Sequence, residues 1–485
     1  MPIPAGRIDA AVGDLDNLAN GLMARTGVPG MAIAVVHDDK VVYAKGFGVR
    51  KVGTNQRVDA NTVFQLASVS KPLGATVIAR SVGRGTVGWD DQITKYLPRF
   101  TLSNPFTTRR VTIADMYAHR SGLPSHIGDL LEDLGYGQAE ILRRLRYAPL
   151  APPLREGYAY TNFGLTAGAL AVARAEHTSW EQLSARNLYE PLGMTSTSSR
   201  FSDYARSPRR AFGHVRVGGR WEAKFVRDAD AQAPAGGASS SVSDLAKWLR
   251  LLLGSGVFDG KRLIAGSALS AMRTPHSLLA PPPTADARPT FSGLGIDISI
   301  DSTGRVRFSH SGAFELGAST AVTWLPSEHL GIVALTNGQP IGVPESLIAE
   351  FLDLAELGRV TRDWLAGYGP LFAALLENPS RLAGKHRPSH PTPSRPARVY
   401  AGTYGNKYYG TARITARGAR LTMTLGPKSM RFALRHWDGN TFSYRPRGEN
   451  AVGISAVSFR FGRDGRPAAM NVEYLDANRL GTFTR

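Results

Sequence analysis

Cysteine is absent from the 485 residues, which removes disulfides, thiolate metal sites and cysteine nucleophiles and leaves any catalysis to other side chains. No apolar run approaches the ~18–20 residues that a membrane helix needs, so no membrane span is expected. No glycine-rich phosphate loop follows a strand, which disfavours a parallel-sheet nucleotide fold, and no His-Glu-x-x-His or other paired-ligand spacing appears. Neither a metal nor a cofactor is therefore expected. The opening stretch MPIPAGRIDAAVGDLDNLANGLMARTG lacks a basic start followed by an apolar run, so no signal peptide is read there. The default expectation is a cytoplasmic protein, with an exported mature form left open.

Acidic residues are also scarce, 39 against 58 basic ones, for a net charge of +19. The excess is uneven: from Arg381 onward about 19 Lys and Arg face about 5 Asp and Glu. One expectation is a solvated basic surface; the other is attraction to an anionic polymer or an acidic carrier protein. No recognisable nucleic-acid module accompanies the charge, so nucleic acid is not an expected partner.

The length implies two or three domains. Ile8, Val12, Leu15, Leu18 and Leu22 recur at helical spacing. GMAIAVVHDDKVVYAKGFG, Gly30 to Gly48, reads as a β-hairpin about Asp38-Asp39. Ile113 to Ala175 reads as mainly helical, broken at RSGLPSH and APLAPPLREG. SDLAKWLRLLL begins with a serine cap at Ser243. Strand-like runs return at GLGIDISI, VRFSHSG, TAVTWLP and LGIVALTNG, and another helical stretch covers Ile348–Leu376. Strands at both ends with helices between them point to an α+β fold whose sheet joins the two ends. The expected division is a first domain over 1–376, a Pro-rich basic linker over 377–397, and a small all-β barrel or sandwich over 398–485.

Within FQLASVSKPLGATVIA, Ser68 and Lys71 are three residues apart, so on a helix they share a face, and Pro72 fits only near a helix start. A serine at a helix N-terminus sits beside free backbone N–H groups that can stabilise an oxyanion. A lysine of lowered pKa can act as its base. YAYTNFG offers Tyr160 and Asn162 at strand-like spacing, which would point both the same way, and SHSGAF offers His310 and Gly312. By residue type alone, the alternative of ordinary polar residues opening a helix stands beside the nucleophile.

The ordered set Ser68-x-x-Lys71, Tyr160-x-Asn162 and His310-Ser311-Gly312 resembles the three motifs of the penicillin-recognising serine hydrolases, in the class C β-lactamase-like branch that includes D-aminopeptidases and esterases. VTIADMYAHRSGLPSH, YEPLGMTST and APAGGASSSVSDLAKW are similar to supporting stretches of that family, and the tail resembles a lipocalin-like β module. The resemblance implies a β-lactamase/transpeptidase-like domain, an antiparallel sheet flanked by helices with a helical subdomain, followed by a small barrel. It implies catalytic roles for Ser68, Lys71 and Tyr160, and substrate binding by Asn162, His310, Ser311, Gly312 and the Ala313 backbone; His119 is read as structural. Tyr404-Gly405-Asn406 and His126-Ile127-Gly128 fit the second and third patterns in the wrong place and are set aside.

The implied function is hydrolysis of an amide or ester in a small molecule or peptide through a Ser68 acyl-enzyme, peptidase-like, D-aminopeptidase-like or esterase-like. The alternatives are a thioesterase-type acyl transferase passing the acyl group to an amine, and a non-catalytic binder of wall peptides or anionic polymers. Two departures matter. His310 stands where many β-lactamases carry lysine, and a histidine of ordinary pKa is mostly neutral at pH 7, which argues against strong β-lactamase activity. LREGYAY also lacks the Pro-Gly that many relatives place before the tyrosine. Oligomeric state is not read from the sequence.

Overall fold

The computed structural model describes residues 2–485 apart from 283, 285 and 286. Two compact units emerge: Met1–Arg99 with Arg109–Gly122 and Pro152–Leu375, and Phe100–Thr108 with Leu123–Ala151 and Leu376–Arg485.

The first unit is built on an eight-stranded antiparallel sheet. Its spatial order is Lys40–Gly48, Gly30–His37, Leu330–Thr336, Ala318–Leu325, Val306–Phe314, Asp297–Ile300, Thr290–Ser292, Ser277–Ala280. The hairpin near the N-terminus therefore joins the late strands, with Met31 opposite Thr336 and His37 opposite Leu330. Gly30–His37 is buried along nearly its whole length. Burial on both faces explains why GMAIAVVH is a continuous apolar run rather than an alternating one.

One face carries Met31, Ile33, Val35 and Ile332 into a core with Leu15, Leu22, Leu347 and Phe351 from the helices Leu15–Thr26 and Val343–Leu357. The other face receives the helix Val242–Leu253, where Trp248 meets Trp324 edge-on with ring centroids 6.0 Å apart. Gly331 lies under that helix: a Cβ there would come within 3.2 Å of Leu249.

Local boundaries differ from the sequence expectations for identifiable reasons. The first helix is two, Arg7–Gly13 and Leu15–Thr26, divided where Gly13 precedes Asp14; glycine weakens a helix interior by roughly 1 kcal/mol. The helix Val242–Leu253 is capped by Ser241, whose side chain accepts from the Asp244 amide, and not by Ser243, whose hydroxyl donates to the Ala60 carbonyl at 3.0 Å. The late helical stretch divides into Val343–Leu357 and Trp364–Ala373, because Gly358 takes a left-handed φ of 75° and ends the first.

The second unit contains a closed barrel of eight strands, from Gly402–Asn406 to Thr482–Thr484. Gly405 pairs with Thr484 to close it, which decides for a barrel over a sandwich. Alternate residues point inward, as in Gly410–Arg417, where Ala412 and Ile414 are buried between exposed neighbours. Tyr400, Phe442 and Phe459 pack in its interior with ring centroids 4.8–5.8 Å apart. Residues 123–151 belong to this unit: Asp133 accepts from the amides of Glu449 and Asn450 and from the Tyr474 hydroxyl. Residues 377–396 hold neither helix nor strand.

Among the described residues no helix is long and apolar enough to cross a membrane, and no cluster of three or more His, Asp or Glu could hold a metal ion.

Candidate active site

Ser68 sits in a 3-10 turn, Ala67–Val69, two residues ahead of the helix Ser70–Gly83 rather than at its first turn. The turn is fixed from both sides. Leu66 donates to the Ala238 carbonyl at 2.9 Å, and the Ala238 amide donates to Ser70 Oγ at 3.0 Å. Ala67 is held at a φ of +47°, a left-handed conformation that L residues adopt at some cost and that clusters at functional sites. Pro72 falls in the helix's first turn, where its missing N–H leaves nothing unpaired.

The strand Val306–Phe314 passes directly beside this turn, and Gly312 is what permits it. A Cβ at Gly312 would lie 2.3 Å from the Leu66 carbonyl oxygen, 2.3 Å from Thr320 Oγ1 and 3.0 Å from the Ser68 nitrogen. Thr320 Oγ1 in turn donates to the Leu66 carbonyl at 2.7 Å. Within Val306–Phe314, the strand Asp297–Ile300 reaches only Val306–Ser309, so the edge from His310 to Ala313 is left unpaired by that strand next to Ser68.

Lys71 is completely buried. Its Nζ donates to Ser68 Oγ at 2.9 Å, to Asn162 Oδ1 at 2.8 Å and to the Ala235 carbonyl at 2.9 Å. The Tyr160 hydroxyl donates to Ser68 Oγ at 2.7 Å, and Lys71 Nζ lies 4.5 Å from the centre of the Tyr160 ring. The Ser68 oxygen thus receives two donors, either of which can take its proton by exchanging donor and acceptor roles.

Tyr160 and Asn162 are not on a strand. Tyr160 is in a loop, and Asn162 opens the helix Asn162–Ala175. Both nonetheless reach Ser68 and Lys71, because the turn at His119 pins the loop: the His119 carbonyl accepts from Ala159 at 2.8 Å and His119 Nδ1 accepts from Thr161 at 3.1 Å. The His119 ring, 4.7 Å from that of Tyr160, sets the orientation of the phenol.

His310 Nδ1 is 2.6 Å from the Ser311 carbonyl. A carbonyl can only accept, so Nδ1 carries the proton and Nε2 keeps its lone pair. Burial, and then the charge of Lys71, push the imidazole down to about 3. It is neutral throughout the physiological range. Ser311 pairs with Ala321, a residue of the core on the opposite face of the sheet, and its hydroxyl acts on the buried Glu345 carboxyl. Its carbonyl, not its hydroxyl, is what meets His310.

Three groups lay outside the expected site. The Ala235 carbonyl is in APAGG, a stretch singled out only as supporting sequence, and a backbone acceptor has no side-chain signature. Asp297 closes GLGID, read only as strand; burial raises its carboxyl to about 7 against the opposing pull of Lys71. Tyr158 is raised well above the ordinary phenol by burial and by Asp297. The two decoy motifs fall in the second unit with local structural partners: Tyr404 donates to the Tyr400 carbonyl at 2.7 Å, and His126 pairs with Asp129 at 3.1 Å.

Comparison with known proteins agrees with this architecture. A domain of unknown function (DUF3471) matches residues 386–482. The chain is 25% identical over 498 residues to the unguisins hydrolase ungD of Aspergillus violaceofuscus, covering 94% of this chain and 87% of that protein. It is 26% identical to the beta-lactamase of Escherichia coli strain K12, covering 65% of this chain and 86% of that one. The octameric penicillin-binding protein homologue from Pyrococcus abyssi shares the fold, with a TM-score of 0.61 at 20% identity over 95% of this chain and 98% of that chain. The Beta-lactamase family model matches residues 15–356, a span that takes in the Ser68 turn, Lys71, Tyr160, Asn162 and His310, and the chain belongs to that family.

Proposed function

We propose that the protein is a serine hydrolase that cleaves an amide or ester bond in a small molecule or peptide through an acyl-enzyme on Ser68. The observation that carries this reading is the pair of short contacts to one hydroxyl, 2.9 Å from Lys71 and 2.7 Å from Tyr160, with the lysine buried and the serine accessible. Ser68 attacks the carbonyl as its proton passes into the Lys71–Tyr160 pair. Tyr160 then returns a proton to the leaving group, and water repeats the sequence in reverse. The amides of Ser68 and Ala313 serve the oxyanion, loss of one such donor typically costing about 3 kcal/mol, and Asn162 serves the substrate amide.

Water as the acceptor is favoured by the name of a relative that spans 94% of the chain, a hydrolase. An amine in its place would make the same acyl-enzyme a transferase; product analysis with and without added amine separates the two. A fluorophosphonate probe tests the core of the proposal. Wild type should be labelled and Ser68→Ala should not, and labelling that persists in the variant removes Ser68 from the mechanism.

The barrel supports a second contact, with an anionic polymer or acidic carrier protein. Arg413, Arg417, Arg420, Arg431 and Arg435 are all exposed on three adjacent strands, with Arg413 and Arg431 flanking Thr424 and Arg417 opposite Arg420. Binding through this face falls steeply as salt is raised; binding insensitive to salt would refute it.

A further inference from the structure

The twelve residues WLAGYGPLFAAL, from Trp364 to Leu375, hold no Asp, Glu, Lys or Arg, and no residue of the helix Trp364–Ala373 is buried. A surface helix ordinarily hides an apolar side and turns polar residues outward. Leu15–Thr26 does so, with Leu15, Ala19 and Leu22 inside and Asn17, Asn20 and Arg25 exposed. Trp364–Ala373 is apolar on both sides. Its inner side lies on Val343–Leu357, with Leu365 against the core, while Leu371 is 67% and Leu375 46% exposed, beside exposed Pro370 and Ala373. Leu357 and Val360, just ahead of the helix, are exposed as well. An apolar patch of this kind marks a contact surface. Its surroundings are positive. Arg7, which donates to the Glu356 carbonyl, Arg359, which is exposed, and Arg362, 5.0 Å from the centre of the Trp364 ring, make no ion pair with any described residue. The acids close by are already engaged or hidden: Asp363 pairs with Arg25 at 2.6 Å, Asp353 accepts from Trp364 Nε1 at 2.8 Å, Glu356 pairs with Arg307 at 2.6 Å, and Glu350 is buried.

We propose that the helix Trp364–Ala373, with Leu375, docks on an anionic lipid bilayer and lies in the plane of its surface, Leu371 and Leu375 among the acyl chains and the arginines beside the headgroups. A helix of 10 residues is far too short to cross a bilayer, so the protein rests on the membrane without spanning it. Trp364 and Tyr368, stacked with ring centroids 5.9 Å apart, are residue types that favour headgroup depth. A second copy of the chain would cover the same patch, but each copy carries +19, which sets two copies against each other and draws both to a negative surface. The inference is independent of the chemistry at Ser68.

The test is flotation of the full chain with vesicles of phosphatidylcholine alone and of phosphatidylcholine mixed with phosphatidylglycerol. Wild type should bind the mixed vesicles at least about tenfold more tightly than the neutral ones. The double variant Leu371→Ser, Leu375→Ser should bind the mixed vesicles at least about tenfold more weakly, the value of burying a leucine side chain. Its melting temperature should match wild type, because both leucines are exposed. Arg359→Gln, which changes no packed residue, should weaken binding to the mixed vesicles by roughly fivefold and carries the test if the double variant melts early. Val41→Ser, at an exposed apolar position on the far edge strand, should float as wild type does. Four results overturn the inference. The first is a wild type that does not float with the mixed vesicles. The second is a double variant that floats as well as wild type, which would assign the binding to basic surface elsewhere. The third is a Val41→Ser variant that loses binding equally. The fourth is a wild type whose sedimentation shows self-association that the double variant loses while neither floats, which would assign the patch to a second copy.

Discussion

Lys71 Nζ and Ser68 Oγ are 2.9 Å apart, and the lysine is shut away from solvent while the serine is not. A buried ammonium needs compensating acceptors. The Ser68, Asn162 and Ala235 oxygens supply them, so the arrangement holds the lysine nitrogen against a hydroxyl that a substrate can reach.

If Tyr160 moves the proton between Ser68 and the leaving group, Tyr160→Phe should lower kcat by roughly a hundred- to ten-thousand-fold, the usual range for a general acid–base group. The ring's packing on His119 is unchanged by loss of the hydroxyl, so the melting temperature should stay close to wild type. Steady-state kinetics beside a thermal melt checks both halves.

Gly312→Ala places a methyl group 2.3 Å from the Leu66 carbonyl oxygen and 2.3 Å from Thr320 Oγ1. The first obstacle is backbone and cannot swing aside. Overpacking of this kind costs about 1–3 kcal/mol, and here relief requires the Ser68 turn to move off the strand. A lowered melting temperature together with loss of most probe labelling is expected; Ser311→Ala, next to it, should label as wild type does.

His310 is held down at about 3, far below the ordinary histidine value of 6.5. Because its folded pKa is depressed, no ionisation of His310 falls between pH 5 and 9, and kcat/KM should show no inflection belonging to it there. His310→Lys places a permanent cation at this position. It should lower KM for carboxylate-bearing substrates relative to matched neutral ones. A pH–rate profile and a paired-substrate comparison test the two statements.

Glu345, near the start of Val343–Leu357, is raised to about 7 by burial, which its own amide and the Ser311 hydroxyl only partly offset. Between the ordinary value of 4.5 and about 7 the folded state holds a proton that the unfolded chain has lost. Stability contributed by this group is therefore full at low pH and is lost as pH rises through that window. Glu345→Gln should raise the melting temperature at pH 8 and leave it nearly unchanged at pH 4.5.

Much of this was legible in the sequence, and unevenly. The hairpin at Gly30–Gly48 and the strands near Val306 and Leu330 were read from periodicity and turn residues, and their union in one sheet from their positions at the two ends of the segment. The ordered motifs brought Ser68, Lys71, Tyr160 and Asn162 to one place even though the local reasoning for two of them was wrong. Tyr160 and Asn162 converge through a loop pinned by His119, not through strand alternation, and a two-residue spacing cannot distinguish these. Ser241 rather than Ser243 caps its helix because both precede an apolar stripe and only tertiary contact, Ser243 with Ala60, separates them. Asp297 and the Ala235 carbonyl were invisible because neither has a motif. The crossing of strand and turn that frames the site is made by Gly312, whose close approach exists only in three dimensions.

The central claim is that Ser68 forms a covalent acyl-enzyme with the help of Lys71. Intact-protein mass spectrometry after brief exposure to a fluorophosphonate, followed by peptide mapping, tests it most directly. One adduct should appear, on the peptide bearing Ser68, and it should vanish in Ser68→Ala and form at least roughly a hundredfold more slowly in Lys71→Met. An adduct on any other residue, or an undiminished rate without the lysine, would contradict the account.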